Sequence, residues 1–130
     1  MKDKDKKPAI VAIDDEIDFI TMLKDYFELR GYKIDVASKG VHGIELIHEN
    51  NPDIVLLDLK MPGVSGKEVL GIVKNKMPHT KVIFISAFND AGKTKSAMLE
   101  AGAYAYIDKP IESLKSLEDL INRAYTDNTG

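Results

Sequence analysis

The stretch Pro52-Asp53-Ile54-Val55-Leu56-Leu57-Asp58-Leu59-Lys60-Met61-Pro62-Gly63 decides how this chain folds. Its four consecutive apolar residues, Ile54 to Leu57, are too few for a helix and show no polar alternation. They predict a strand covered on both faces, as in a parallel sheet. An acid, Asp58, ends the run, and Met61-Pro62-Gly63 reads as a tight turn, with proline fixing φ and glycine free to take φ > 0. Working outward, the same signature recurs. Ala9 to Ile13 is apolar and ends at Asp14 and Asp15; Val82 to Ile85 ends at Ser86; Tyr104 to Ile107 is followed, after one residue, by Lys109. The segment Lys33-Ile34-Asp35-Val36 alternates instead, which predicts a half-exposed strand at a sheet edge.

Helix-period segments separate these runs. Ile20, Leu23 and Phe27, widened by Phe19 and Tyr26, predict a first helix that stops at Gly31. Val41, Ile44 and Ile47 mark a second, closed by Asn50-Asn51-Pro52. Ser65 and Glu68 form a capping box ahead of Val69, Leu70, Val73 and Met77. A fourth, weakly amphipathic helix is expected from Asp90 to Ala101, and a fifth carries Leu114, Leu117 and Ile121 in a stripe. Five strand signals alternating with five helix signals predict an α/β fold, a doubly wound parallel sheet with helices on both faces. Met22, Met61, Met77 and Met98 read as core or turn filler, and His42, His48 and His79 lack ligand spacing.

The 130 residues suffice for one domain with a core of its own. We expect a flexible segment at 1–7, the folded domain at 8–125, and a tail or the start of a linker at 126–130. At 44% apolar and 30% charged residues the composition is that of an ordinary globular domain. The apolar runs are strand-sized, and Lys2 to Lys7 interleaves lysine with Asp3 and Asp5, so neither a membrane span nor a signal peptide is expected. The absence of cysteine makes the cytoplasm the expected compartment. A net charge of −3 argues against binding nucleic-acid backbones.

Open α/β sheets bind ligands beyond the carboxyl ends of their strands. Asp14, Asp15, Asp58, Ser86 and Lys109 all fall at such ends. Three clustered carboxylates repel one another, so the rim calls for a bound cation or a raised pKa on at least one acid. Oxygen-only ligands of this kind suit magnesium.

The motifs V-A-I-D-D-E at Val11 to Glu16, P-D-I-V-L-L-D-L-K-M-P-G at Pro52 to Gly63, F-I-S-A at Phe84 to Ala87 and G-A-Y-A-Y-I-D-K-P at Gly102 to Pro110, in this order, resemble the receiver domain of two-component response regulators, the CheY-like fold. The resemblance spans essentially the whole chain. It implies a five-stranded sheet of flavodoxin-like order 2-1-3-4-5. It also implies that Asp58 accepts a phosphoryl group from a sensor histidine kinase or phosphotransfer protein, in a Mg2+-dependent reaction that the domain itself catalyses and slowly reverses by hydrolysis. Asp15 would ligate the ion directly, Asp14 through water, and Lys60 through its backbone carbonyl. Lys109 would neutralise the phosphoryl group, with a cis Lys109-Pro110 bond aiming it inward. Ser86 would move toward the phosphoryl group and Tyr106 would follow, altering the face built from the fourth helix, fifth strand and fifth helix. Lys60 and Phe88 would flank the route of the hydrolytic water.

The resemblance leaves the downstream effector and a phosphorylation-dependent homodimer open. Tyr104 and Ala105 stand where winged-helix regulators that dimerise through that face carry an acidic pair. A haloacid-dehalogenase-like phosphatase is the alternative, also built on a strand-end Asp, magnesium and lysine. Its D-x-D signature lacks the second acid in Asp58-Leu59-Lys60. A flavodoxin-like nucleotide binder would need a phosphate loop where Asp14-Asp15-Glu16 stands.

Overall fold

A computed structural model describes residues 6–127; the expected terminal segments fall largely on residues 1–5 and 128–130, outside the described ones. Five strands, β1 (Ile10–Ile13), β2 (Ile34–Ala37), β3 (Ile54–Leu57), β4 (Lys81–Ser86) and β5 (Ala105–Asp108), alternate with α1 (Ile17–Leu29), α2 (Gly40–Asn50), α3 (Gly66–Lys76), α4 (Lys93–Glu100) and α5 (Leu114–Thr126). All four strand pairings are parallel, in the order β2-β1-β3-β4-β5. The chain reverses direction across the sheet between β1 and β3, and that reversal opens a crevice beyond their carboxyl ends.

Alternation within the strands divides the core in two. Val11, Ile13, Val55, Leu57, Val82 and Phe84 face Ile47 of α2, Val69, Leu70 and Val73 of α3, and Met98 of α4. Ile10, Ala12, Ile54, Leu56, Ile83 and Ile85 face Leu23 and Phe27 of α1 and Leu117, Ile121 and Ala124 of α5. Burying both faces accounts for the unbroken apolar runs of β1, β3 and β4. β2 pairs only with β1 and leaves Asp35 and Val36 half-buried, as its alternating sequence predicts. The capping box at α3 is present: Ser65 Oγ accepts from the Glu68 N–H, and Glu68 Oε1 accepts from the Ser65 N–H. Asn51, left-handed at φ 46°, ends α2, and Gly63 takes φ 86° in the bend after β3.

Three expectations need correction. Val41 is 62% exposed rather than core-facing, because Gly40 and Gly43 turn inward on α2. Gly43 has to be that small: a Cβ there would lie 2.4 Å from Ile13 Cδ1. α4 begins at Lys93, not Asp90. Ala91 and Gly92 take φ of 62° and 85°, which no right-handed helix continues through, while the Asp90 carboxylate accepts from the Thr94 N–H and hydroxyl. Met22 is 40% exposed and lines a surface groove. Among the described residues, no helix is long and apolar enough to cross a membrane.

Candidate functional site

Register brings the acids together. Ile13 is paired with Leu57, and the Asp58 N–H donates to the Ile13 carbonyl at 3.0 Å, so Asp14 and Asp58 leave adjacent strands at the same level of the crevice. Asp14, Asp15 and Asp58 each offer a carboxylate oxygen, all within 4.8 Å of one another, a set of hard donors able to hold a metal ion. Asp14 and Asp58 are buried and Asp15 is exposed. On the other side of β3, Ser86 closes β4 opposite Asp108, and the Lys109 N–H donates to the Ser86 carbonyl at 2.9 Å. The Lys109-Pro110 bond is cis. The three acids and Lys109 therefore meet at one edge of the sheet, and Ser86 ends the neighbouring strand at that same edge.

Their electrostatics follow from burial and crowding. Burial, then repulsion from Asp14, pushes the Asp58 carboxyl up from 3.8 to about 6; the Lys109 charge acts in the opposite direction and Asp15 adds repulsion. Asp14 is raised as well, chiefly by burial, against hydrogen bonds from Lys109 and the Glu16 N–H. Lys109 Nζ lies 2.8 Å from Asp14 Oδ2, pairs with Glu16 Oε1, and stands 4.7 Å from the centre of the Phe19 ring. Burial works against the Lys109 ammonium, but its hydrogen bonds to Asp14 and Glu16 and its attraction to Asp14 and Asp58 outweigh that and hold its pKa above the ordinary value.

Phe88 joins the remaining residues. Its N–H donates to Ser86 Oγ at 3.1 Å, and its carbonyl accepts from the Tyr106 hydroxyl at 2.9 Å. The Lys60 ammonium sits 4.1 Å from the Phe88 ring centre, a cation–π contact between the β3–α3 and β4–α4 loops. Tyr106 is already buried, its ring 5.8 Å from that of Phe84. Tyr106 thus occupies the inward position. Beside the crevice, Phe19, Met22, Pro110, Ile111 and Leu114 line an apolar groove of about 630 Å³ that reaches Glu16 and Lys109.

The sequence singles out neither Glu16 nor Phe19: Glu16 reads as part of an acidic run, its position next to Asp15 being the usable signal, and Phe19 reads as part of the apolar stripe of α1.

A crevice of three acids at a strand-order reversal, with a lysine and a hydroxyl across from them, has close relatives. The profile of the response regulator receiver domain matches residues 10–122. This chain belongs to that family. It is 30% identical over 116 residues to the polar-differentiation response regulator DivK of Brucella ovis, covering 88% of this chain and 93% of that protein. To the regulatory protein AtoC of Escherichia coli it is 31% identical over 115 residues, covering 88% of this chain but only 24% of AtoC. A response regulator receiver domain from Clostridium thermocellum superposes with a TM-score of 0.84 at 30% identity, covering 92% of this chain and 94% of that one. The protein is thus a receiver domain of the two-component type. Nothing in these likenesses favours the phosphatase alternative, and the position two beyond Asp58 holds a lysine stacked on Phe88 rather than a second acid.

Proposed function

We propose that Asp58 is the phosphoacceptor of this receiver domain, taking its phosphoryl group from a sensor histidine kinase or phosphotransfer protein in the cytoplasm. The observation that carries the reading is a buried carboxylate raised to about 6 between two further acids, with an ammonium across the crevice. An Asp58 oxygen attacks phosphorus, the P–N bond to the donor imidazole breaks, and its electron pair stays on the imidazole nitrogen. Hydrolysis reverses the modification: water attacks phosphorus, the bond to Asp58 breaks, and inorganic phosphate leaves.

The three-acid donor set fits magnesium; Asp15 and Asp58 would ligate it directly, Asp14 would hold it through water, and the Lys60 carbonyl would complete the set. The bound ion would supply neutralising charge for the phosphoryl oxygens. Lys109 shares that task from the β5 side. The apolar groove between α1 and the start of α5 gives the donor a footing next to the crevice.

Ser86 can donate its hydroxyl proton to a phosphoryl oxygen while still accepting from the Phe88 N–H. The Ser86–Phe88–Tyr106 chain then carries that movement to the face of α4, β5 and α5, where an effector, a second protein or a second copy would read it. Phosphorylation on this reading favours the conformation in which Tyr106 is inside, bonded to the Phe88 carbonyl. The Lys60–Phe88 contact screens the approach to Asp58 and slows hydrolysis. We place the receiver domain at 8–125.

The test is phosphorylation by acetyl phosphate with magnesium, read by intact mass. We expect one phosphoryl group in the wild type, none in Asp58→Asn, and none without the metal. A wild-type level of modification in Asp58→Asn would overturn the assignment.

A further inference from the structure

Lys109 is tied to the wrong carboxylate for its proposed task. Its ammonium hydrogen-bonds Asp14 and Glu16 and influences Asp58 only through space. Glu16 is the N-cap residue of α1, a position where the shorter Asp, Asn, Ser or Thr accepts from the free N–H groups of the first turn. It makes no such bond, and its carboxylate reaches across to Lys109 instead, 93 residues away. The Glu16 side chain is 62% exposed, whereas that of Lys109 is 12% exposed, so the pair draws the ammonium toward α1 and the mouth of the crevice. The Phe19 ring backs the ammonium on that same side.

We propose that Glu16 is a positioning residue, holding the Lys109 ammonium beside α1 in the unphosphorylated domain and competing with a phosphoryl group on Asp58 for it. An exposed ion pair is weak, and a phosphoryl group carries more charge and more acceptor oxygens than one carboxylate, so the tether yields when Asp58 is modified. Its consequence is a brake on modification: part of the Lys109 interaction has to be surrendered before the transferring group gains it. The inference rests on Asp58 being the phosphoacceptor.

The experiment compares Glu16→Gln and Glu16→Asp with the wild type in acetyl phosphate with magnesium. Glu16→Gln removes the charge. Glu16→Asp keeps it but is one methylene shorter and suited to capping α1, so it lets go of Lys109 without weakening the helix. Both should accelerate modification of Asp58 by about 2- to 5-fold, the range that an exposed pair is worth. In a Lys109→Met background neither substitution should change the rate. The nitrogen NMR signal of the Lys109 ammonium should move in unmodified Glu16→Asp relative to wild type, and coincide in the two proteins once beryllofluoride is bound.

Acceleration in Glu16→Gln alone would mean that Glu16 acts by its field rather than as a tether, and the proposal fails. Equal acceleration in the Lys109→Met background, or coincident ammonium signals before beryllofluoride is added, overturns it as well. A wild type that takes up no phosphoryl group refutes the phosphoacceptor reading, while uptake indifferent to Glu16 refutes only this inference.

Discussion

Among the carboxylates buried beside ionisable neighbours, Glu118 and Asp58 are treated oppositely. Glu118 on α5, 4% exposed, accepts from the Tyr26 hydroxyl at 2.9 Å, the Tyr32 hydroxyl at 2.8 Å and the Arg30 Nε–H at 3.0 Å. Burial alone would raise its pKa, but the hydrogen bonds from Arg30, Tyr32 and Tyr26 outweigh burial and leave it below the ordinary value. Asp58, 8% exposed, is buried beside Asp14 and Asp15, which outweigh the Lys109 charge and one backbone hydrogen bond from Leu59, and is raised to about 6. Burial pushes both acids up, and the neighbours decide whether that push is reversed. A carboxylate surrounded by donors pins α1 to α5; one surrounded by carboxylates is held in a state that a cation or a phosphoryl transfer relieves.

The largest test of this contrast removes the satisfied acid. Glu118→Ala deprives three donors of their acceptor, two of them tyrosine hydroxyls at a packed helix interface. Stability should fall by about 3 kcal/mol, about one for each hydrogen bond. Urea unfolding measures it, and a loss under 1 kcal/mol would mean the network merely fills space.

The converse substitution should stabilise. The folded-state pKa of Asp58 exceeds its unfolded value, so between 3.8 and about 6 the folded protein holds the proton more tightly than the unfolded chain. The favourable contribution is complete below about pH 4 and is lost as pH rises through about 6. Metal-free Asp58→Asn should therefore exceed metal-free wild type by about 3 kcal/mol at pH 7, with the gap closing toward pH 4. Thermal unfolding in EDTA across that range is the measurement; a gap independent of pH would point to a cause other than the crowded charge. Asp14→Asn is the poorer probe, because it also breaks the 2.8 Å pair with Lys109.

The smallest effect is the most selective. Tyr32→Phe removes one donor from Glu118 and the acceptor used by Asn122 Nδ2, leaving the ring stacked edge-on against Phe27. A loss of about 1 kcal/mol is expected, together with an upward move of the Glu118 carboxyl titration that NMR can follow. A Glu118 titration that stays in place would show that Arg30 and Tyr26 govern it without Tyr32.

Much of the site was legible in the chain because it is local in a specific sense: every residue at the rim follows directly from where a strand ends. The runs Ile10 to Ile13 and Ile54 to Leu57 carry their own stop signals, and parallel register then aligns Asp14 with Asp58. The satisfied acid was illegible for the opposite reason. Glu118 lies between Leu117 and Asp119 on an amphipathic helix, where an acid ordinarily meets water, and its partners stand 86 to 92 residues away. The misplaced Val41 shows the same limit at shorter range, since an apolar stripe identifies a helix but glycines can claim the face that packs.

The sequence by itself determined the α/β alternation, the doubly wound sheet, the family, and the set Asp14, Asp15, Asp58, Ser86 and Lys109, because strand-length apolar runs and their terminal residues are properties of contiguous chain. Only the tertiary structure decided whom each side chain meets: Lys109 bonded to Glu16 as well as Asp14, Phe88 linking Ser86 to Tyr106, and Glu118 surrounded by donors from α1 and the turn that follows it. Those partnerships depend on how helices settle across the sheet and which side chains reach the same space, and the free energy that selects them comes from many packed and hydrogen-bonded groups acting together rather than from any one segment.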